Sequence, residues 1–368
     1  MADDPPIIRR GKGLRLSTES PEAASDAARP EDAPAVQPVE EAPATEAAPQ
    51  IRRGTGFRLS TQASPEEQAA LDPEEVDEVM RERDALARSG AVRWRIQTSR
   101  GPLSYLHAGS GAPLLLIHGW GASARLWAGT LADLSQQRSG YALDLPGFGQ
   151  SPARPAAPTL KTLAEDVIAF ADTVGLTTFE LAGHSLGAAV AACVAGRYPE
   201  RVSRLALVAL GVRTFAPELT TLDWSRSPVD LSLGLARPFF EWWEPVNRLL
   251  MQSPPLALTL SALLLHHDPA DPELWREYLA DHAAVDARAY VTALTAVAAP
   301  QVREALQHII VPTLFVAGRE DRVVSLSEAT SAHQLIAHSS LTVLDQCGHL
   351  PMIERPEELA QVLRRFFR

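Results

Sequence analysis

Six short apolar runs, most of them separated by enough chain for a helix, set the limits on what this sequence can fold into. They are PLLLIHG at 113–119, YALDLPG at 141–147, FELAGHS at 179–185, RLALVAL at 204–210, TLFVAG at 313–318 and LTVLD at 341–345. Strands this uniformly apolar bury both faces, and joined by helical crossovers they form a mainly parallel sheet covered by helices on each side. The expected fold class is therefore α/β. Two strand-like runs come before them, VRWRIQTS at 92–99 and LSYLHAG at 103–109, and the turn residues Arg100-Gly101-Pro102 between the two make an edge hairpin.

The rhythm fails in two places. Residues 1–71 are dominated by Ala, Pro, Glu and Asp and hold few large apolar side chains, so little burial is available to offset the entropy of ordering. They are expected to be a disordered tail. A first helix is expected from Asp72 as N-cap, with Pro73 at its first position, to about Arg88, and Gly90 stops it. Residues 212–300 hold the aromatic group Phe239, Phe240, Trp242 and Trp243 and several helical segments but no clear strand. This insertion falls between two sheet strands. It is expected to lie over the strand ends as a helical cap, leaving 72–211 and 301–368 as the core. A last helix begins at Pro356, Glu357 and Glu358 and ends near Arg364, Arg365 and Arg368, charges that suit the helix dipole.

Charge and cysteine content narrow the setting. A formal net charge of -11 disfavours nucleic acid as a partner, because phosphate backbones are bound through surplus Lys and Arg. Two cysteines, Cys193 and Cys347, provide no framework of bridges and suit a reducing compartment. The start MADDPP lacks a secretion signal, and LALTLSALLL at 256–265 falls short of the roughly 20 apolar residues of a membrane span. The expectation is a soluble, cytoplasmic protein.

The strongest local signal is GHSLG at 183–187, which follows a strand and opens the small-residue helix AAVAACVAG. Glycines two positions to either side of Ser185 allow a sharp strand-to-helix turn that pushes the Ser185 hydroxyl out of the sheet. The helix aims its first amides at the same point, so an oxyanion there would meet the NH of Leu186. A hydroxyl needs a base to take its proton, and the base needs a carboxylate to fix its tautomer. VAGREDRVV at 316–324 puts Asp321 just past a strand, and DQCGHLPMIERP at 345–356 puts His349 in the loop after the last one. Loops beyond the carboxyl ends of parallel strands converge, so Ser185, Asp321 and His349 can meet. LLLIHGWGAS at 114–123 supplies a further loop, in which Trp120 lies between two glycines and offers a second amide.

Together HGWGAS, DLPGFGQS at 144–151, GHSLG, GREDRVV and CGHLPMIERPEEL, in that order, resemble the α/β-hydrolase family from about residue 91 to 368. The resemblance implies Ser185 as nucleophile, His349 as base, Asp321 as its orienting acid, and the amides of Trp120 and Leu186 as an oxyanion hole. It implies a structural turn around Asp144 and local packing for His118 and His184. Haloalkane dehalogenases and epoxide hydrolases of this fold attack with Asp where this chain has Ser185, so acyl chemistry remains: a carboxylic ester, lactone or thioester with an apolar group, or C–C bond hydrolysis. A non-catalytic or accessory member that binds a small molecule or a partner is the other class left open. The adjacent His266-His267-Asp268 has poor ligand spacing, and no phosphate-binding loop or dinucleotide fingerprint accompanies the strands. No metal and no cofactor are implied.

One feature stands outside this frame. IRRGKGLRLST at 8–18 returns as IRRGTGFRLST at 51–61, with an acidic, Pro- and Ala-rich spacer between the copies. Three Arg with Ile and Leu or Phe suit an acidic, apolar-pocketed surface, so the copies read as docking motifs. Two on one tether gain avidity on a repetitive partner such as a scaffold, a pathway enzyme or a protein shell, with recruitment to such an assembly.

Overall fold

The structure is a computed structural model that describes residues 57–58, 90–156, 158–212, 254–286, 289 and 300–368. Contacts divide the chain into residues 1–50 and 51–368, and all the described residues belong to the second unit. The first repeat, the helix expected at 72–88 and the aromatic group at 239–243 lie outside the described residues.

Among the described residues nine strands form one sheet: β1 (Phe57–Arg58), β2 (Val92–Thr98), β3 (Gly101–Ala108), β4 (Ala112–Ile117), β5 (Arg138–Leu143), β6 (Phe179–His184), β7 (Val202–Val208), β8 (Thr313–Gly318) and β9 (Ser339–Leu344). Their order is β1-β2-β3-β5-β4-β6-β7-β8-β9. The pairs from β5 through β4, β6, β7 and β8 to β9 are parallel, and those from β1 to β3, with β3 on β5, are antiparallel. All six apolar runs are strands of the parallel part. The expected hairpin is β2 and β3, with Thr98 paired to Gly101, so Pro102 lies in the strand rather than in the turn. Pro102 pairs with Gln97 and stands before the part of β3 that joins β5, where its missing N–H costs the sheet nothing on that side. The second repeat reaches the sheet: Phe57 pairs with Arg95 and Arg58 with Trp94.

Helices cover both faces: α1 (Ala128–Leu134), α2 (Leu160–Thr173), α3 (Leu186–Arg197), α4 (Pro254–Leu264), α5 (Pro272–Ala284), α6 (Pro300–Gln307), α7 (Leu326–His333), α8 (Pro351–Glu354) and α9 (Pro356–Phe366). Strand alternation divides the core between the faces. Leu115 and Ile117 of β4 join Phe170 of α2 and Val190 of α3 on one side, and Leu114 and Leu116 join Trp127, Leu131 of α1 and Leu363 of α9 on the other. The small residues of α3 have a packing reason. A Cβ on Gly196 would lie 2.7 Å from the Ala305 carbonyl of α6, so the two helices approach at backbone distance. Local signals set the helix starts: Thr159 and Thr162 cap α2 reciprocally, as Ser325 and Glu328 cap α7. The last helix bears Glu357 and Glu358 in its first turn and Arg364 and Arg365 in its last; Arg368 lies beyond its end.

Candidate active site

The carboxyl ends of β4, β6, β8 and β9 share one edge of the sheet, and the chemistry-bearing residues stand there. Ser185 follows β6 directly with φ 50° and ψ -110°, a positive φ that non-glycine residues adopt at a cost of about 1–3 kcal/mol. Its neighbours explain how the turn holds. A Cβ on Gly183 would lie 2.2 Å from the Gly187 carbonyl oxygen, and one on Gly187 2.3 Å from that of Ile117, so neither position admits a side chain. The Ser185 amide donates to Val208 O at 2.9 Å, which ties the turn to β7. Leu186 is the first residue of α3, where a backbone NH has no acceptor within the helix.

The three residues picked from the sequence meet. Ser185 Oγ lies 3.0 Å from His349 Nε2, and His349 Nδ1 lies 2.8 Å from Asp321 Oδ2. With Nδ1–H donating to the carboxylate, Nε2 is free to accept the hydroxyl proton. The other oxygen of Asp321 accepts the amides of Val323 at 2.8 Å and Val324 at 2.9 Å. Burial pushes the Asp321 carboxyl up, but His349 and those two amides outweigh it and hold the group below its ordinary range. Asp321 is thus an anion fixed on both sides. All three residues are buried.

His349 is held from behind. Its amide donates to Leu264 O at 2.8 Å, at the end of α4, and its carbonyl accepts His184 Nε2–H at 2.8 Å. Burial depresses the His184 pKa to about 3, so this ring is neutral. Glu354 places one carboxylate oxygen 2.9 Å from the Gly348 amide and the other 2.6 Å and 3.2 Å from the amides of His266 and His267. Neither sequence position nor spacing singled out Glu354. Its one signal was its place in the CGHLPMIERP run, five residues after His349. His266 and His267 follow the end of α4 rather than lying on a helix, and among the described residues no group of side chains is arranged to hold a metal.

The loop after β4 carries Trp120. His118 donates from Nδ1 to Gly119 O at 2.8 Å and accepts the Leu145 amide on Nε2 at 3.0 Å, which fixes its tautomer; burial lowers its pKa. Asp144 is fully buried. One of its oxygens accepts the Ala124 amide at 2.7 Å, and the other accepts Gln150 N at 3.0 Å and Arg93 at 2.7 Å. Burial would raise its pKa, but Arg93 and the amides keep it below the usual value. Asp144 is 0 % exposed and has no route to a reacting group, in keeping with a structural turn. Arg93 and Asp281, which also brace this loop, were not visible as site residues in the sequence.

Comparison with known proteins agrees with this architecture. A family model described as alpha/beta hydrolase fold matches residues 112–356. The chain belongs to that family. It is 28% identical over 260 residues to a pimeloyl-[acyl-carrier protein] methyl ester esterase of Aeromonas hydrophila, covering 70% of this chain and 96% of the relative. It is 29% identical over 274 residues to a 2-hydroxymuconate semialdehyde hydrolase of Pseudomonas sp. strain CF600, covering 70% and 88%. A crystal structure of a membrane phospholipase A, described as a bacterial virulence factor, superposes with TM-score 0.63 at 29% identity over 80% of this chain and 91% of that one. Among the described residues of the present chain, no helix is long and apolar enough to cross a membrane.

Proposed function

We propose that the chain is a serine hydrolase that cleaves carboxylic esters, lactones or thioesters through an acyl-enzyme. The observation that carries this is the unbroken Ser185–His349–Asp321 hydrogen-bond chain at 3.0 and 2.8 Å. Ser185 Oγ attacks the acyl carbon as its proton passes to His349 Nε2, and Asp321 stabilises the imidazolium that forms. The tetrahedral oxyanion is held by the amides of Trp120 and Leu186. Collapse expels the alcohol, which takes the proton from His349. Water, deprotonated by the same ring, then releases the acid and restores Ser185.

Ester chemistry is supported by the esterases among the relatives, and a serine at the nucleophile position agrees with it. An apolar substrate group is supported by the inserted segment, where α4, whose last residue Leu264 accepts the His349 amide, leaves Leu258 and Leu263 exposed. One observation favours a second reading, hydrolysis of a C–C bond. The semialdehyde hydrolase is as similar to this chain as the esterases are, and its named substrate is not an ester.

The test is labelling of the purified protein with a fluorophosphonate probe, mapped by mass spectrometry, followed by turnover of p-nitrophenyl esters of increasing acyl length. Labelling at Ser185, its loss in Ser185→Ala, and a fall of about 10⁴-fold in kcat for Asp321→Asn are expected. Well-folded protein that neither labels nor turns over would favour the accessory reading instead. The repeats at 8–18 and 51–61 are proposed to dock the enzyme on a cytoplasmic scaffold, pathway enzyme or protein shell. Removal of residues 1–50, which takes away the first copy and leaves β1 in the sheet, should weaken that association and leave turnover unchanged; the reverse result would refute the docking role.

A further inference from the structure

The inserted segment reaches into the loop that bears Trp120. Its helix α5 is set in register by Asp271, which caps it by accepting the amides of Glu273 and Leu274, both at 3.0 Å. Residues 278, 281 and 282 then share one face, spaced by three and four. That face meets the loop after β4. Tyr278 Oη–H donates to Trp120 O at 3.4 Å. The His282 ring stands edge-on to the Trp120 ring at 4.8 Å and 88°. It also fills the space a Cβ at position 121 would need, 1.8 Å from that point, while Gly121 takes φ +71°. Asp281 accepts Ser123 Oγ–H at 2.5 Å and pairs with Arg125.

The core fixes the two ends of this loop, at His118 through Leu145 and at Ala124 through Asp144. Between those ends lies the Trp120 amide. A buried carboxylate paired with a guanidinium adds little net stability compared with an apolar pair, and what it supplies best is one geometry. An oxyanion donor is sensitive to geometry, because a displacement of about 1 Å costs on the order of a hundredfold in rate.

We propose that α5 sets the position of the Trp120 amide through Asp281, with Tyr278 and His282 beside it, which makes these three positioning residues for the oxyanion site. The proposal rests on the reading of Ser185 as nucleophile. The cap is then part of the machinery that stabilises the transition state as well as a cover for the substrate.

The experiment uses the full chain with Asp281→Asn and Ser123→Ala. It reads the second-order rate of fluorophosphonate labelling at Ser185, kcat and KM on p-nitrophenyl butyrate, and Ki for an alkyl trifluoromethyl ketone, whose hemiketal oxyanion occupies the same site. Both variants should lower labelling and kcat about ten- to a hundredfold. KM should change by less than about threefold, as expected when an interaction made only in the transition state is lost. Ki should rise by the same factor as kcat/KM falls. A merely structural role would reduce the fraction of protein that labels and leave the rate per labelled molecule unchanged, which would overturn the proposal. Should Asp281→Asn fail to fold, Ser123→Ala decides, since it removes the bond to Asp281 and the one from the Arg125 amide without stranding a charge. If wild type labels at Ser185 and both variants match it, the positioning role falls alone. If wild type does not label, the nucleophile assignment and the positioning role fall together.

Discussion

Replacing Glu354 with Gln should loosen the His349 loop without altering any group that reacts. The carboxylate accepts three backbone amides, Gly348 on one oxygen and His266 and His267 on the other, and it is buried. Gln has one oxygen. Whichever way its amide turns, an NH2 group faces an N–H donor on the other side, so at least one bond is lost and a donor is left without an acceptor. A hydrogen bond to a charged group contributes about 1.5–3 kcal/mol, and a stranded buried donor costs about 1–3 kcal/mol. Partial relaxation of the loop brings the sum to about 2–4 kcal/mol. For a folded unit of this size that corresponds to a fall in Tm of about 3–7 °C.

Activity should drop as well, because the amide neighbouring Gly348 is that of His349, which is bound to Leu264 O. A Cβ at 348 would lie 2.7 Å from that same carbonyl, so the loop has no second arrangement close by. Thermal unfolding of Glu354→Gln beside wild type, with labelling at Ser185 measured at 25 °C, checks both parts. A change in Tm under about 1 °C would refute the argument that the carboxylate is held by three amides and supports the loop.

Gly187→Ala should cost about 1–3 kcal/mol and abolish labelling at Ser185, because the new methyl would sit 2.3 Å from Ile117 O and 2.4 Å from His118 O; wild-type labelling in the variant would refute this. Acid should destabilise the fold above the range where carboxylates titrate. Burial holds His184 at about 3 and His282 at about 4, against an unfolded value near 6.5. Below about pH 6.5 the unfolded chain takes up protons that the folded chain refuses, so the stability these rings contribute is complete above that pH and is lost as pH falls towards 4, at up to about 1.4 kcal/mol per pH unit for each ring. Urea unfolding of wild type and His282→Gln at pH 7 and pH 5 measures it, with a smaller loss expected in the variant and an equal loss counting against the assignment.

The parallel sheet and the meeting of Ser185, His349 and Asp321 were legible in the sequence for the same reason: both depend on local patterns. A run such as LLLI at 114–117 is buried on both faces wherever it is placed, and GHSLG works only as a turn whose flanking residues lack side chains. The order Ser185, Asp321, His349 follows from strands that end on one edge. What was not legible are residues whose role comes from a partner far along the chain. Arg93 reaches Asp144 across 51 residues, and Ser123 reaches Asp281 across 158. Nothing in the spacing of an acidic residue on an ordinary helical pattern says that it will accept from a loop on another element. His184 is an intermediate case: its place in the motif was plain, but its bond to the carbonyl of His349 depends on how β6 and the last loop come together.

A further set of long-range contacts, Ser123 with Asp281 among them, converges on the segment between β7 and β8. Leu264 O at the end of α4 accepts the amide of His349, the following residues take the carboxylate of Glu354, and Ala262 O accepts Arg322, next to Asp321. Farther along, α5 grips the loop of Trp120 through Tyr278 and Asp281. His349, Asp321 and the proposed oxyanion donor Trp120 therefore share supports that are not part of the sheet. A sheet edge alone cannot give this arrangement, because parallel strands bring loops to the same edge without setting the distances between them. The strained turn at Ser185 fixes the proposed nucleophile from the core, whereas His349 and Asp321 are fixed partly from the insertion. Under the proposed hydrolase function, variation in the insertion changes which substrates fit only within the limits set by α4 and α5, since a shift of either helix moves the loops of Trp120 and His349 with it.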